Sequence, residues 1–270
     1  MTAVADRVAN PELAMRDPGF VAKAMPFVRL PVRRWFRSQV DGIANIPDGG
    51  ALIVSNHSGG VITFDVPVLA VAFFDHFGLD RPLYVLAHDS ILREPLGGWL
   101  RRAGIVTASR ENADALLRDG GVTIVFPGGD HDVFRPTFEA NRIDFNGRTG
   151  YIRTALDADV PIVPVVSIGG QESQLFLSRG ERLAKLMGLE QRFRTKYLPI
   201  AIGIPFGLTA AFPLNLPLPT KIVTRVLEPI DIRAEFGPDV DIAAVDREVR
   251  ARMQAALDEL AAARRLPVLG

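Results

Sequence analysis

Short apolar runs, each long enough for one buried strand, alternate along this chain with segments of helical character. The apolar runs lie at residues 51–55, 83–87, 105–107, 122–126 and 162–166. Helices are predicted between them at residues 66–77, 112–119 and 151–158, the first with Pro67 in its opening turn. This alternation predicts an α/β fold with a mostly parallel central sheet flanked by helices.

Further elements are predicted around this frame. They are a strand at 38–41, an interrupted helix at 91–103, a polar helical region at 171–197, a strand at 221–226 and a long helix at 241–265. The polar region at 171–197 holds six basic and three acidic residues. This local excess of positive charge favours a solvated helix face over a patch that contacts lipid or phosphate.

The composition excludes several classes of function. The chain has 270 residues, 48% of them hydrophobic, and 31 acidic residues balance 31 basic ones. A chain without net charge has no global field to attract nucleic acid. The absence of cysteine excludes disulfides, thiolate catalysis and cysteine-based metal sites, and it permits a reducing compartment. No apolar segment typical of a secretory signal is visible in residues 1–17.

One long stretch, residues 198–220, carries no charge. It contains five prolines, which would break a membrane-spanning helix repeatedly, so no bilayer span is predicted there. An apolar, proline-rich segment of this kind suits either a plain core segment or a wall for lipid chains.

Residues 18–37 mix large apolar side chains with cations and contain no acid. Pro26 and Pro31 predict short helical pieces instead of one rod. Basic residues interleaved with Trp and Phe are typical of a segment that lies on a membrane surface, and an amphipathic helix packed on the domain explains them equally well. Residues 1–37 are therefore predicted to be an N-terminal amphipathic segment, followed by one domain at 38–270.

Residues 54–65 hold the strongest candidate for chemistry. His57 directly follows the apolar run at 51–55, which places it at the carboxyl end of a strand, where open α/β sheets bind ligands. Gly59 and Gly60 permit a sharp turn, and Asp65 precedes the next apolar run. A neutral imidazole near a carboxylate can accept a proton at neutral pH. The alternative is a solvent-facing His, with Asp65 as the N-cap of a helix.

Four sequence blocks recur in order on this frame. They are Asn56-His57 with Asp65, the Gly104 to Arg110 segment that ends in an arginine, Phe126-Pro127-Gly128-Gly129, and the Pro161 to Val165 segment. Together they resemble the glycerolipid acyltransferase family, which includes the lysophosphatidic acid acyltransferases. The resemblance covers about residues 40 to 230.

The resemblance implies an activity and a set of site residues. His57 would be the general base that removes the proton from an acceptor hydroxyl, and Asp65 would orient the imidazole. The hydroxyl would attack the thioester of acyl-CoA or of an acyl-carrier protein, with no other cofactor. Asn56, Arg110, Pro127, Gly128 and Gly129 would bind substrate. Apart from the resemblance, the polar run at 130–136 is predicted to supply acceptor contacts, with Arg135 as a clamp for an anion. A lipid acceptor implies peripheral attachment to a membrane, on its cytoplasmic side.

Two departures from the family pattern affect these expectations. His57 and Asp65 are eight residues apart instead of five, and in one straight helix that spacing would separate their Cα atoms by about 12 Å. The glycines at 59 and 60 must therefore fold Asp65 back if the two side chains are to meet. The third block has Pro-Gly-Gly-Asp where many members have Pro-Glu-Gly-Thr, which resembles the branch whose proposed acceptors include diacylglycerol.

Other functions remain open on the sequence alone. A serine-type lipid esterase would need an activated serine, and only Ser58 and Ser167 come into consideration, because no Gly-x-Ser-x-Gly elbow is present. A non-catalytic lipid-binding protein on the same scaffold is a further alternative. Asp130, His131 and Asp132 are three possible metal ligands, but consecutive side chains cannot easily point at one ion, so no metal site is predicted.

Overall fold

The computed structural model describes residues 13–60, 63–193, 196–266 and 268. The first twelve residues of the predicted N-terminal segment, Val61 and Ile62 of the loop before Asp65, and Arg194 of the predicted cationic region lie outside the described residues.

A seven-stranded sheet forms the centre of the molecule. Its strands are β1 (Gln39–Asp41), β2 (Ala51–Ser55), β3 (Leu83–Ala87), β4 (Ile105–Thr107), β5 (Val122–Val125), β6 (Ile162–Ile168) and β10 (Val223–Val226). A smaller, separate sheet contains β7 (Leu175–Ser178), β8 (Ile200–Gly203) and β9 (Gly207–Ala210). The strand order in the large sheet is β1-β10-β6-β2-β5-β3-β4. Every pairing in it is parallel except that of β10 with β6. The predicted mostly parallel sheet is confirmed.

Helices cover both faces of this sheet. They are α1 (Pro18–Leu30), α2 (Asp65–Phe77), α3 (Gly97–Arg102), α4 (Arg110–Arg118), α5 (Gly129–Val133), α6 (Gly150–Ala158), α7 (Glu181–Leu186), α8 (Leu189–Phe193), α9 (Ile232–Phe236) and α10 (Ile242–Ala263). Short 3₁₀ turns lie at Leu13–Met15, Ile43–Asn45, Asp89–Leu92, Thr137–Glu139 and Gln171–Ser173, and one π turn at Pro31–Trp35. The break predicted near Pro95 separates the turn at Asp89–Leu92 from α3.

Strand β2 is buried along its whole length and shows how the two cores form. Ile53 packs with α1 and α2 on one face, whereas Leu52 and Val54 pack with α4, α6 and α10 on the other. Successive strand side chains point to opposite faces of a sheet. A strand apolar at every position must therefore be covered on both sides, as parallel sheets are.

The N-terminal segment is packed on this body. Asp17 caps α1 by accepting the Phe20 N–H at 3.0 Å. Val21, Met25 and Phe36 are buried in the same apolar cluster as Ile53, whereas the side chain of Phe27 is 80% exposed. The segment therefore packs on the domain through its buried apolar side chains, and its outer face carries both apolar and basic residues. Among the described residues, no helix is long and apolar enough to cross a membrane.

The region between β6 and β10 differs from the sequence-based expectation. Residues 171–197 are not uniformly helical, because strand β7 interrupts them before α7 begins. Residues 198–220 are not a core segment: β8 and β9 form a hairpin that pairs with β7 in a separate three-stranded antiparallel sheet. Of the two interpretations of this segment, a plain core segment or a wall for lipid chains, the first does not fit, because this small sheet leaves several large apolar side chains in solvent.

Candidate active site

His57 lies where β2 ends, at the carboxyl edge of the sheet. The preceding residue, Asn56, is buried and fixes this exit from the strand. Its amide Nδ2 donates to the Ser167 carbonyl at 2.9 Å, and its Oδ1 accepts the Ser167 N–H at 2.8 Å. Both ends of the Asn56 amide are used in this way, so the residue joins β2 to β6. The role in substrate binding predicted for Asn56 stays a prediction.

The loop after His57 reverses direction through its two glycines. Gly59 and Gly60 have φ angles of 92° and 75°, a region that favours glycine. At Gly60 a side chain would also meet Phe176, since a Cβ atom there would lie 2.5 Å from its ring. These two residues provide the turn that the long spacing between His57 and Asp65 requires.

Asp65, the first residue of α2, is buried and points back at this loop. Its Oδ2 accepts the Ser58 N–H at 2.7 Å and lies 3.4 Å from Nδ1 of His57, while its Oδ1 accepts the Ser58 hydroxyl at 2.9 Å. The strong bonds are those to Ser58, and the imidazole contact is at the long limit of a hydrogen bond. Asp65 therefore fixes the loop first and faces the His57 ring second.

The His57 ring is held from the other side by Phe126. The two rings are stacked, with centroids 3.9 Å apart and an angle of 22° between their planes. The side chain of His57 retains 18% exposure. Because Nδ1 faces Asp65, Nε2 is the ring nitrogen that does not face this carboxylate.

Asp132 is the second carboxylate at this site. It is fully buried, and its Oδ2 accepts the main-chain N–H of His57 at 2.7 Å. Its Oδ1 pairs with the guanidinium of Arg135. Burial raises the pKa of Asp132 to about 6, although the charge of Arg135 opposes that rise.

Arg135 is an internal counter-ion in this structure. Its side chain is 3% exposed, and its two terminal nitrogens donate to Asp132 and to the Arg142 carbonyl. Its own carbonyl accepts a hydrogen bond from Gln171, whose Oε1 accepts the Gly59 N–H at 3.3 Å. The terminal nitrogens expected to clamp an acceptor anion are therefore used to hold the His57 loop.

Pro127, Gly128 and Gly129 form the tight turn between β5 and α5. Gly129 has a φ of 49°, and its N–H donates to the Phe126 carbonyl at 3.0 Å. Arg148 donates to the carbonyls of Pro127 and Gly128 at 3.3 and 3.0 Å. A side chain at Gly128 would lie 2.5 Å from Cβ of Asp132, so the turn permits the close approach of Asp132 to His57.

Arg110 lies in a different cleft from His57. It begins α4 and pairs with Asp157 at 2.8 Å, with both side chains more than half exposed. The cleft has a volume of about 350 Å³ between α4 and α6, and Leu52, Leu86 and Val125 form its apolar floor. No residue of its lining also lines the narrow polar slot beside His57.

The remaining polar side chains near the site have structural partners. His131 faces the Tyr197 hydroxyl at 3.0 Å and Asp144 at 3.4 Å. The described part of the chain contains no group of three or more His, Asp or Glu residues arranged to hold a metal ion. The Ser58 hydroxyl donates to Asp65, and that of Ser167 accepts from Thr224 at 3.1 Å. An activated serine would instead donate its proton to an imidazole.

Three residues of this arrangement were not recognised from the sequence in these positions. Asp132 and Gln171 accept the N–H groups of His57 and Gly59, and Ser58 donates both its N–H and its hydroxyl to Asp65. Asp132 and Arg135 have the i, i+3 spacing of a helical ion pair, which is a weak sequence signal for their partnership. Nothing in the local sequence indicates that Gln171 reaches Gly59, because the contact spans 112 positions.

Known proteins share both the sequence and the fold. Residues 37–168 match the model of the Acyltransferase family. An uncharacterized protein of Mycobacterium tuberculosis is 37% identical over 92% of this chain and 69% of its own length. This chain belongs to the acyltransferase family. It is an enzyme of the acyltransferase class, and the resemblance seen in the four sequence blocks is confirmed.

Two further proteins extend the comparison. A Mus musculus protein named "DGAT1/2-independent enzyme synthesizing storage lipids" is 29% identical over 72% of this chain and 56% of its own length. The crystal structure of PlsC, the 1-acyl-sn-glycerophosphate acyltransferase of Thermotoga maritima, matches with a TM-score of 0.55 and 19% identity, over 90% of this chain and 81% of that one. The latter match shows that the fold is shared.

Proposed function

We propose that this acyltransferase moves a fatty acyl group from a thioester, either acyl-CoA or an acyl-carrier protein, to a hydroxyl of a glycerolipid. One observation carries the proposal. In this member of the acyltransferase family, His57 lies at the carboxyl edge of the sheet, and the Asp65 carboxylate is 3.4 Å from its Nδ1. A hydroxyl is a poor nucleophile until a base accepts its proton, and a neutral imidazole oriented by a carboxylate is a suitable base.

The proposed reaction uses His57 as base and then as acid. Nε2 of His57 accepts the hydroxyl proton while the hydroxyl oxygen attacks the thioester carbonyl. The buried Asp65 carboxylate stabilises the imidazolium that forms. The tetrahedral intermediate then expels the thiolate by breaking its carbon–sulfur bond, and the imidazolium returns the proton to sulfur. The products are an ester and a free thiol, and His57 is again neutral.

Lysophospholipids and neutral glycerides are both candidate acceptors. Arg110 is the family position for an acceptor phosphate, but in this chain it lies in a cleft separate from His57. The arginine beside His57, Arg135, is neutralised by Asp132. These two positions favour a neutral acceptor such as diacylglycerol, in agreement with the storage lipids in the name of the Mus musculus relative.

We also propose that the enzyme acts at a membrane surface, on its cytoplasmic side. Helix α1 and the π turn after it support this, because Phe27, Leu30 and Trp35 are 80%, 64% and 48% exposed. Lys23 and Arg34 are exposed in the same segment, where they suit anionic head groups. A cysteine-free chain is compatible with the reducing cytoplasm.

The direct test is the identity of the product. Purified protein is incubated with labelled acyl-CoA and, in parallel, with lysophosphatidic acid, a lysophospholipid mixture or diacylglycerol, and the labelled lipid is identified by mass. A labelled triacylglycerol supports the neutral acceptor, and a labelled phosphatidic acid or phospholipid supports a lysophospholipid. Free fatty acid as the sole product, with a fluorophosphonate label on a serine, would instead indicate an esterase.

A further inference from the structure

The uncharged residues 198–220 form a projecting element that we call the apolar arm. It consists of the β8–β9 hairpin and the chain that folds back over it as far as Thr220. We propose that the apolar arm is a second membrane anchor, whose side chains enter the acyl layer of an anionic membrane next to the active site. The choice of lipid as occupant rests partly on the proposed function, whereas the test below measures attachment without catalysis.

The arm exposes apolar side chains that a folded protein normally buries. The most exposed are Ile204 at 67%, Phe206 at 54%, Leu208 at 66%, Phe212 at 69% and Leu216 at 65%. Single exposed apolar residues are common on protein surfaces, but a set of this size on one uncharged segment marks a contact surface.

Several backbone groups at the tip of the arm are hydrogen-bonded within the arm, which lowers the cost of entry into lipid. The buried Asn215 side chain accepts the Phe206 N–H at 3.0 Å and donates to the Gly207 carbonyl at 2.9 Å. The Leu216 N–H donates to the Ile204 carbonyl at 2.8 Å. Peptide groups without a partner are costly in a bilayer, so an element with an internally bonded tip and apolar side chains outward suits lipid contact.

Charge around the arm favours a lipid surface over a second protein chain. The arm itself is uncharged, and the cations Lys196 and Lys221 lie just outside its two ends. Trp35 donates from its indole Nε1 to the Pro217 carbonyl at 3.1 Å, and Arg37 donates to the Pro219 carbonyl at 3.0 Å. In an anionic leaflet, apolar side chains enter the acyl layer, an indole lies at the interface and cations meet the head groups, and the arm with its borders has this order.

The arm also adjoins the His57 loop. A narrow apolar crevice between the arm and the body is lined by Phe134, Phe176, Leu214 and Leu216. Gly60 of the loop packs against the Phe176 ring, where a Cβ atom would come within 2.5 Å. A lipid held in the leaflet under the arm would therefore lie next to the loop that carries the catalytic base.

The test compares vesicle binding by two triple variants. The arm variant, Ile204→Ser/Phe206→Ser/Leu208→Ser, replaces three apolar side chains at the tip of the arm. The control variant, Ile91→Ser/Leu186→Ser/Met187→Ser, replaces three apolar side chains outside the arm that are 55%, 83% and 57% exposed. Each apolar side chain moved into lipid changes partitioning by about tenfold. The arm variant should bind phosphatidylcholine–phosphatidylglycerol vesicles at least about 100-fold more weakly than wild type, and the control variant about as well as wild type.

Circular dichroism and thermal melting establish that both variants are folded. A second readout places Trp at 206 (Phe206→Trp) in a Trp35→Phe/Trp99→Phe background, where vesicles should shift the emission to the blue and brominated lipid should quench it. The proposal would be overturned if vesicles left the emission of the Phe206→Trp protein unchanged and the arm variant bound vesicles as well as wild type. It would also be overturned if wild type were a dimer, the arm variant a monomer, and their vesicle affinities equal, because the arm would then be a dimer contact. Acyl transfer by wild type to a water-soluble, short-chain acceptor tests the proposed function separately, because it needs no membrane.

Discussion

Gly170 permits the contact between Ser58 and Asp65, so Gly170→Ala should damage the site without touching His57. A Cβ atom at Gly170 would lie 2.2 Å from Oγ of Ser58 and 3.0 Å from Oδ1 of Asp65. The backbone angles of Gly170, φ −66° and ψ −39°, are allowed for alanine, so the effect is steric and not conformational. The Ser58 hydroxyl must rotate away, or the loop must move.

The magnitude follows from what the methyl group displaces. A hydrogen bond to a charged group is worth about 1.5–3 kcal/mol, and overpacking costs about 1–3 kcal/mol. If both costs apply in full, a loss of about 2.5–6 kcal/mol in the free energy of unfolding is therefore expected. A displacement of about 1 Å at a catalytic group costs on the order of 100-fold in rate, so kcat for acyl transfer should fall by about that factor.

The assay combines steady-state acyl transfer with thermal unfolding. Gly98→Ala is the matched control, because its Cβ would find its nearest atom, Oε1 of Glu94, at 3.6 Å in ordinary contact. Ser58→Ala/Gly170→Ala should perform like Ser58→Ala alone, since the colliding oxygen is absent from both. Wild-type kcat in Gly170→Ala, or additive losses in the double variant, would refute this account of how Asp65 is positioned.

Three further predictions concern the charged groups. Asp65→Asn can keep an oxygen for the Ser58 N–H, with its amide nitrogen donating to the Ser58 hydroxyl, but it removes the negative charge that faces Nδ1 of His57. The value of kcat should therefore fall by about 100-fold with KM little changed; equal kcat would remove Asp65 from the mechanism. Because the pKa of Asp132 is raised from 3.8 to about 6, the folded chain retains a proton between those values that the unfolded chain has lost, and the free energy of unfolding should fall as pH rises through that window. Asp132→Asn should remove this pH dependence in urea unfolding, and parallel profiles would contradict it. Because Arg110 lines a cleft that His57 does not line and pairs there with Asp157, Arg110→Ala should leave KM for both lysophosphatidic acid and diacylglycerol near the wild-type values; a rise in KM for lysophosphatidic acid alone would place Arg110 at the acceptor phosphate.

The frame of the molecule was predictable because its signals are local. Strand β2 is apolar at 51–54, and the helix predicted at 66–77 begins one residue earlier, at Asp65. The fold class follows from such runs and the helices between them. The reversal at Gly59 and Gly60 was predictable as a requirement, since without it Asp65 could not approach His57.

The rest depended on contacts distant in sequence. Arg135 faces a buried carboxylate and not a ligand because Asp132 is buried beside it. The charged residues of the run at 130–136 look alike in the sequence, which does not show which of them is buried. The exposure of the apolar arm at 198–220 could not be predicted, because apolar composition normally indicates burial. Several of its apolar side chains are instead exposed on the small three-stranded sheet. Asn215 supplies hydrogen bonds to the backbone there.

The central claim is that His57 is the base that activates the acceptor hydroxyl. Its most direct test is release of free thiol from acyl-CoA, in the presence of the acceptor identified by mass, by wild type and His57→Ala. General-base catalysis contributes roughly 10²–10⁴-fold, so His57→Ala should lose at least about 100-fold in acceptor-dependent thiol release while its circular dichroism spectrum and melting temperature stay near those of wild type. Acceptor-dependent thiol release at the wild-type rate by folded His57→Ala would contradict the account.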